Sequence, residues 1–187
     1  MSLLDEIMKK NKEFVATGKY RDFQTTKYPR KKMVILSCMD TRLVELLPKA
    51  MDLKNGDFKL IKNAGAVISQ PFGSVMRSIL VAIYQLHAEE VFVIGHHQCG
   101  MSNVNTYQLL NKMKERGIKE ETLEVIENCG IKLHKWLRGF DNVEDSVRHS
   151  VNMIKNHPLT PTDIFIHGLV IDPVTGKLDI VVNGYES

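Results

Sequence analysis

The chain of 187 residues, 43% of them hydrophobic, is long enough for one sizeable core, and its length gives no reason to divide residues 1–187 into more than one domain. Its formal charge of +3, from 25 basic and 22 acidic residues spread along the chain, calls for no nucleic-acid partner. The start lacks the uninterrupted apolar centre of a secretion signal, no later stretch approaches membrane-spanning length, and 3 cysteines argue against a disulfide framework, so a soluble cytoplasmic protein is expected.

Leu4, Ile7, Met8 and Val15 lie on one helical stripe, and Gly18 to Pro29 separates them from the first core segment. Residues 1–29 therefore read as an N-terminal helical arm, whose apolar stripe needs cover from its own domain or a second subunit. Met33 to Leu36 is a run of consecutive apolar residues, the pattern of a strand buried on both faces of a parallel sheet, and Phe58 to Ile61 repeats it more weakly. Val75, Ile79, Ala82, Ile83 and Leu86 then recur at helical spacing before a second strong strand run, Val91 to Ile94. Ser102 is expected to cap a helix through Met113, and Cys129, followed by Gly130, to be a helix-packing thiol.

Farther on, Asp141 and Glu144 resemble a capping box for a helix carrying Val143, Val147, Val151 and Ile154, with Pro158 as its stop. Ile164 to Ile166 predicts another buried strand. The Thr175-Gly176 turn signal followed by Leu178, Ile180 and Val182 predicts a last strand at a sheet edge. Strands alternating with helices give an α/β fold: a mainly parallel central sheet flanked by helices, with the N-terminal arm and a C-terminal edge strand.

Cys38 comes just after the first strand run, and His96 and Cys99 just after the third, so all three project from carboxyl ends of predicted parallel strands, where open α/β sheets bind ligands. If those strands are neighbours, about 5 Å apart, two thiolates and an imidazole can converge on one zinc ion. Three protein ligands leave a fourth tetrahedral position for water or substrate, as in catalytic rather than structural zinc sites. A buried Cys alone is more often core, and the weight here comes from two strand ends acting together. Asp40 and Arg42 can form an ion pair beside the metal, with Arg42 holding the carboxylate bidentately; alternatively, Asp40 caps a helix starting near Leu43 and Arg42 is surface charge.

Other residues are read as bystanders. His97 points away from the ligands, His167 makes a structural hydrogen bond, and His87, His134, His149 and His157 are solvated histidines of helical segments. A thiol-phosphatase loop would need Arg where Val44 stands, and no CxxC redox pair is present.

Cys38-Met39-Asp40-Thr41-Arg42 together with Gly95-His96-His97-Gln98-Cys99-Gly100 resembles the CxDxR and HxxCG signatures of β-class carbonic anhydrases. Lys62-Asn63-Ala64-Gly65, the helix from Gly73 to Leu86 and the closing Gly168 to Leu178 segment extend the similarity over most of the chain. Gly100-Met101 and the short chain look more like the compact archaeal and Gram-positive branch than the plant type. The resemblance implies one zinc per chain on Cys38, His96 and Cys99, with Asp40 and Arg42 as the catalytic dyad. In some family members the aspartate leaves its arginine and becomes the fourth zinc ligand, a role open to Asp40. It also implies a homodimer or higher homo-oligomer, in keeping with the unpartnered arm.

The implied reaction is reversible hydration of carbon dioxide to bicarbonate and a proton, by attack of zinc-bound hydroxide. Carbonyl sulfide and carbon disulfide hydrolases share the ligand pattern, and a non-catalytic zinc module with Asp40 as permanent ligand is the remaining alternative. Two thiolates cancel the formal charge of Zn²⁺, so the metal should acidify water less strongly than a three-histidine site, for which the value is about 7. Activity is therefore expected to rise toward alkaline pH. A stopped-flow profile that stays flat between roughly pH 6 and 9 would contradict this.

Overall fold

The computed structural model describes residues 1–186. Five strands form one sheet in the order β2-β1-β3-β4-β5: β1 (Met33–Cys38), β2 (Phe58–Asn63), β3 (Glu90–His96), β4 (Phe165–Ile171) and β5 (Leu178–Val182). β2, β1, β3 and β4 run parallel, and β5 is antiparallel to β4 at the edge, as the turn at Thr175-Gly176 predicts. Each strong apolar run lies inside a strand, but the strands extend beyond the runs, so Cys38 and His96 are the last residues of β1 and β3. Polar or small residues continue these strands because the ladder needs only backbone groups.

The period-two alternation assigns the two faces. Val34, Leu36, Val91 and Val93 pack beneath Met76, Ile79, Ala82 and Ile83 of α3 (Ser74–Leu86) and Val147, Val151 and Ile154 of α7 (Val143–Lys155). Met33, Ile35 and Ile94 meet Leu43 and Leu47 of α2 (Leu43–Ala50) on the opposite face. Every residue of β1 is buried, which explains the continuous apolar run at its start.

The chain leaves β1 for β2 on one side and returns to β3 on the other, so the topological switch point lies between the carboxyl ends of β1 and β3. Crevices at such points are where open α/β sheets take ligands.

Several local expectations are corrected. α7 is capped by Asn142, whose side chain accepts the Asp145 N–H at 2.8 Å, one residue beyond the expected Asp141 and Glu144. Asp141 instead pairs with Arg138 at 3.0 Å. Asn105, not Ser102, caps α4 (Thr106–Glu115), and Ser102 is drawn into a bridge with Phe140. Between α4 and α7, α5 (Glu120–Asn128) and α6 (Leu133–Trp136) enclose a small cluster of Leu110, Leu123 and Leu133. Cys129 is exposed just after α5 and packs nothing into the core, because α5 has ended before it.

His157 is buried rather than solvated: its Nδ1 accepts the Leu159 N–H at 3.2 Å, and its ring lies 4.9 Å from that of Phe72. His134 is half-buried and bonds Thr106 Oγ1 at 2.8 Å, whereas His87 and His149 are exposed. α1 (Leu3–Ala16) buries none of its residues, and Leu3, Leu4, Ile7 and Met8 are exposed along it.

α7 lies close over the sheet because β3 and β4 present glycines to it. A Cβ on Gly168 would sit 2.7 Å from Val147 Cγ1 and 3.1 Å from Val151 Cγ2. Gly168→Ala is expected to destabilise the protein by about 1–3 kcal/mol, the usual cost of overpacking. Urea unfolding checks this, and a midpoint equal to that of the wild type would show that α7 moves aside freely.

Candidate metal centre

Cys38 ends β1, His96 ends the adjacent β3, and Cys99 lies in the loop that follows. One ligand atom from each lies within 4.8 Å of the other two, and all three residues are buried. The sulfurs of Cys38 and Cys99 are 3.8 Å apart, and both thiols are free. That is far beyond a disulfide bond, but it matches the roughly 3.8 Å edge of a tetrahedron with metal–sulfur bonds of about 2.3 Å.

His96 is oriented by its neighbour. Its Nδ1 lies 2.8 Å from the carbonyl oxygen of His97, so Nδ1 carries the hydrogen and donates it. Nε2 is then left as a bare acceptor, buried and without a hydrogen-bond partner among the described residues. A buried imidazole nitrogen with no donor facing it is costly unless a cation takes its lone pair. The His97 ring lies outside the cluster, as expected, and the backbone of His97 is what the site uses: its N–H donates to Ile171 at 3.1 Å.

Burial pushes the Cys38 thiol up, but the neighbouring His96 imidazole and the Asp40 and Gly65 N–H groups outweigh it, leaving the net shift downward. Burial pushes the Cys99 thiol up as well; the Met101 N–H opposes this only in part, and the charge of Cys38 adds to the rise. Two thiolates so close cannot both ionise without a positive charge between them. For His96, burial lowers proton affinity, yet the neighbouring Cys38 more than compensates and the net shift is upward. Two sulfurs and one imidazole nitrogen at this spacing fit a tetrahedral ion such as zinc.

Asp40 and Arg42 meet as the spacing predicts. Arg42 donates from Nε to Asp40 Oδ1 at 3.0 Å and from Nη2 to Oδ2 at 2.8 Å, a bidentate pair. The Arg42 backbone N–H donates to Oδ1 at 2.9 Å, so the carboxylate also closes the turn into α2, although the cap position itself is Arg42. Hydrogen bonds from the Arg42 side chain hold the Asp40 carboxyl well below the usual carboxylate range, against the upward push of burial. Asp40 Oδ2 lies 3.8 Å from His96 Nε2. The carboxylate thus stands beside the cluster while committed to Arg42.

Some contributors were not legible as individual functional residues. Gly65, at φ +81°, turns its N–H toward Cys38 Sγ at 3.4 Å, and a Cβ there would meet Phe140 at 3.0 Å. Lys62 Nζ donates to the Cys38 carbonyl at 3.2 Å, and its own proton affinity is lowered by burial. Gln98 accepts from Arg42 through both its side chain and its backbone. The Lys-Asn-Ala-Gly motif was a signal for the first two; nothing in the residue type of Gln98 pointed to Arg42. His167 is remote from the cluster, beside Phe92 in the ladder, and makes structural contacts: Nδ1 accepts the Gly184 N–H at 3.2 Å, and Nε2 faces Glu90 at 3.3 Å.

Comparison with known proteins identifies the family. The family model described as carbonic anhydrase matches residues 33–178. A Bacillus subtilis protein provisionally named carbonic anhydrase YvdA is 60% identical over 187 residues, covering 100% of this chain and 95% of its own length. The crystal structure of β-carbonic anhydrase isoform I, TvaCA1, from Trichomonas vaginalis superposes with a TM-score of 0.88 at 36% identity, covering 99% of this chain and 100% of that one. A carbon disulfide hydrolase from Acidithiobacillus thiooxidans is similar at greater distance, 27% identical over 79% of this chain and 76% of its own. By fold, by matched residues and by the site at its switch point, the chain belongs to the β-carbonic anhydrase family.

Proposed function

We propose that the chain is a zinc enzyme that reversibly hydrates carbon dioxide to bicarbonate and a proton, with Cys38, His96 and Cys99 as metal ligands and Asp40 and Arg42 as the catalytic pair. The observation that carries this reading is the Asp40 carboxylate, 3.8 Å from His96 Nε2 and gripped on both oxygens by Arg42. Zinc, when bound, would supply the Lewis acid that lowers the pKa of water and makes it a nucleophile. Asp40 accepts the hydrogen bond of the attacking water, turning its lone pair toward the carbon of carbon dioxide. Because Arg42 holds Asp40 ionised, Asp40 acts there as an acceptor and not as an acid. The Asp40 side chain is 18% exposed and that of Arg42 40%, so the released proton has a short route to solvent.

A permanent Asp40–metal bond is disfavoured by the same contacts, since it would break a bidentate charge-assisted pair. The carbon disulfide hydrolase relative keeps a second substrate in view, and sulfide release from carbon disulfide or carbonyl sulfide distinguishes it. The exposed apolar residues of α1 support a homodimer or higher homo-oligomer. Free thiols support a reducing, cytoplasmic location, and no helix among the described residues is long and apolar enough to cross a membrane.

Asp40→Ala is expected to lower kcat for carbon dioxide hydration by about 100-fold or more, the scale of removing one preorganised hydrogen-bond partner of the reacting group, while zinc content stays at one per chain. Stopped-flow rates paired with metal analysis check this; full activity, or loss of zinc, would overturn the role of Asp40.

Metal uptake carries its own pH signature. The Cys99 thiol is raised and stays protonated at neutral pH, so an entering ion must displace its proton. Apparent zinc affinity should therefore rise with pH, by about tenfold per unit for each proton displaced, and more steeply in acid where His96 must also be deprotonated. Competition titrations against a chelator at several pH values measure the slope, and a flat line between roughly pH 6 and 8 would mean a different ligand set.

A further inference from the structure

The Arg42 guanidinium has two sets of partners. One edge faces Asp40 through Nε and Nη2; the remaining donors face Gln98, with Nη2 on its backbone carbonyl at 3.0 Å and Nη1 on its Oε1 at 3.3 Å. Gln98 is exposed, and its φ of +55° lies in the left-handed region that a residue with a long side chain seldom adopts. That turn is what directs both acceptors of one residue at the same guanidinium. We propose that Gln98 is a positioning residue, which fixes the orientation of Arg42 and through it keeps the Asp40 carboxylate on Arg42 and available to the nucleophile. This deepens the hydration reading and rests on it.

The physical need is clear from exposure. The Arg42 side chain is 40% exposed, and a long side chain tethered at one edge retains rotamer freedom. Asp40 Oδ2 is only 3.8 Å from His96 Nε2, so each excursion of Arg42 frees the carboxylate beside the metal ligands. The Gln98 side chain closes the second edge and removes that freedom. Asn keeps a side-chain amide acceptor and tolerates positive φ, Gly tolerates it with only its backbone carbonyl left, and Met keeps the stem length without a side-chain acceptor. A purely conformational role predicts that Gly does as well as Gln.

The test uses the zinc-loaded, full-length protein and its Gln98→Gly, Gln98→Met and Gln98→Asn variants. Water exchange at the Arg42 Nε–H is followed by NMR, its resonance assigned by loss in Arg42→Lys, and kcat and KM for carbon dioxide are measured alongside. Gln98→Gly and Gln98→Met are expected to speed Nε–H exchange and lower kcat, each by roughly tenfold, the scale of one hydrogen bond to a charged group. KM and zinc content should stay within about twofold, and Gln98→Asn should recover most of both losses. Met is decisive if the glycine variant melts early. Unchanged exchange and kcat in both variants lacking the side-chain acceptor would overturn the proposal. An inactive wild type in which Arg42 exchange still responds would instead overturn the hydration reading and leave the positioning role standing.

Discussion

The parallel ladder between β1 and β3 runs from Met33 opposite Glu90 to Ser37 opposite Ile94, and one step past it lie Cys38 and the segment carrying His96 and Cys99. Everything at the candidate site depends on this register. The ladder is held from both sides of the sheet, since alternate residues of β1 are locked under α3 and α7 or against α2. A one-residue slip would turn Ile35 and Leu36 to the wrong faces and carry Cys38 away from Cys99. The core that stabilises the fold is thereby also what sets the 3.8 Å separation of the two sulfurs.

Burial gives that arrangement its chemistry. Two thiols and an imidazole withdrawn from water hold their protons in conflict, with one thiol lowered, the other raised and the ring nitrogen left without a donor. A divalent cation would resolve all three conditions at once. Beside them, Asp40 meets the opposite situation: Arg42 supplies the positive charge, and the carboxylate stays ionised and fixed in direction. Buried candidate ligands and a partly exposed, arginine-held carboxylate thus stand a few ångströms apart. Gln98, Gly65 and the His97 carbonyl make the outer contacts to Arg42, Cys38 and His96 respectively.

Away from the site, the structure uses close backbone approach where the sequence reads only as strand. Glycines in β3 and β4 let α7 settle onto the sheet, with Val147 filling the space above Gly95 and Gly168. The segment between β3 and α7 solves its burial separately, folding α4, α5 and α6 around three leucines. Its helix caps fall where loop geometry allows an Asn side chain to reach a free N–H, at Asn105 and Asn142, and candidates of equal residue preference nearby are engaged elsewhere.

The sequence by itself determined the alternation of strands and helices, the edge strand at the end, and the three candidate ligands with Asp40 and Arg42, because apolar periodicity and short-range spacing are local properties of the chain. Strand ends, caps, the burial of His157 and the exposure of Cys129 depart from what the residue pattern predicts, since each depends on what packs alongside rather than on neighbours in sequence. Only the tertiary structure decided that β1 and β3 are adjacent, that the two sulfurs lie within one tetrahedral edge, and that Arg42 holds Asp40 while Gln98 holds Arg42. Cys38 and Cys99 are 61 residues apart and Arg42 and Gln98 are 56, separations at which spacing along the chain says nothing about distance until the sheet fixes both ends.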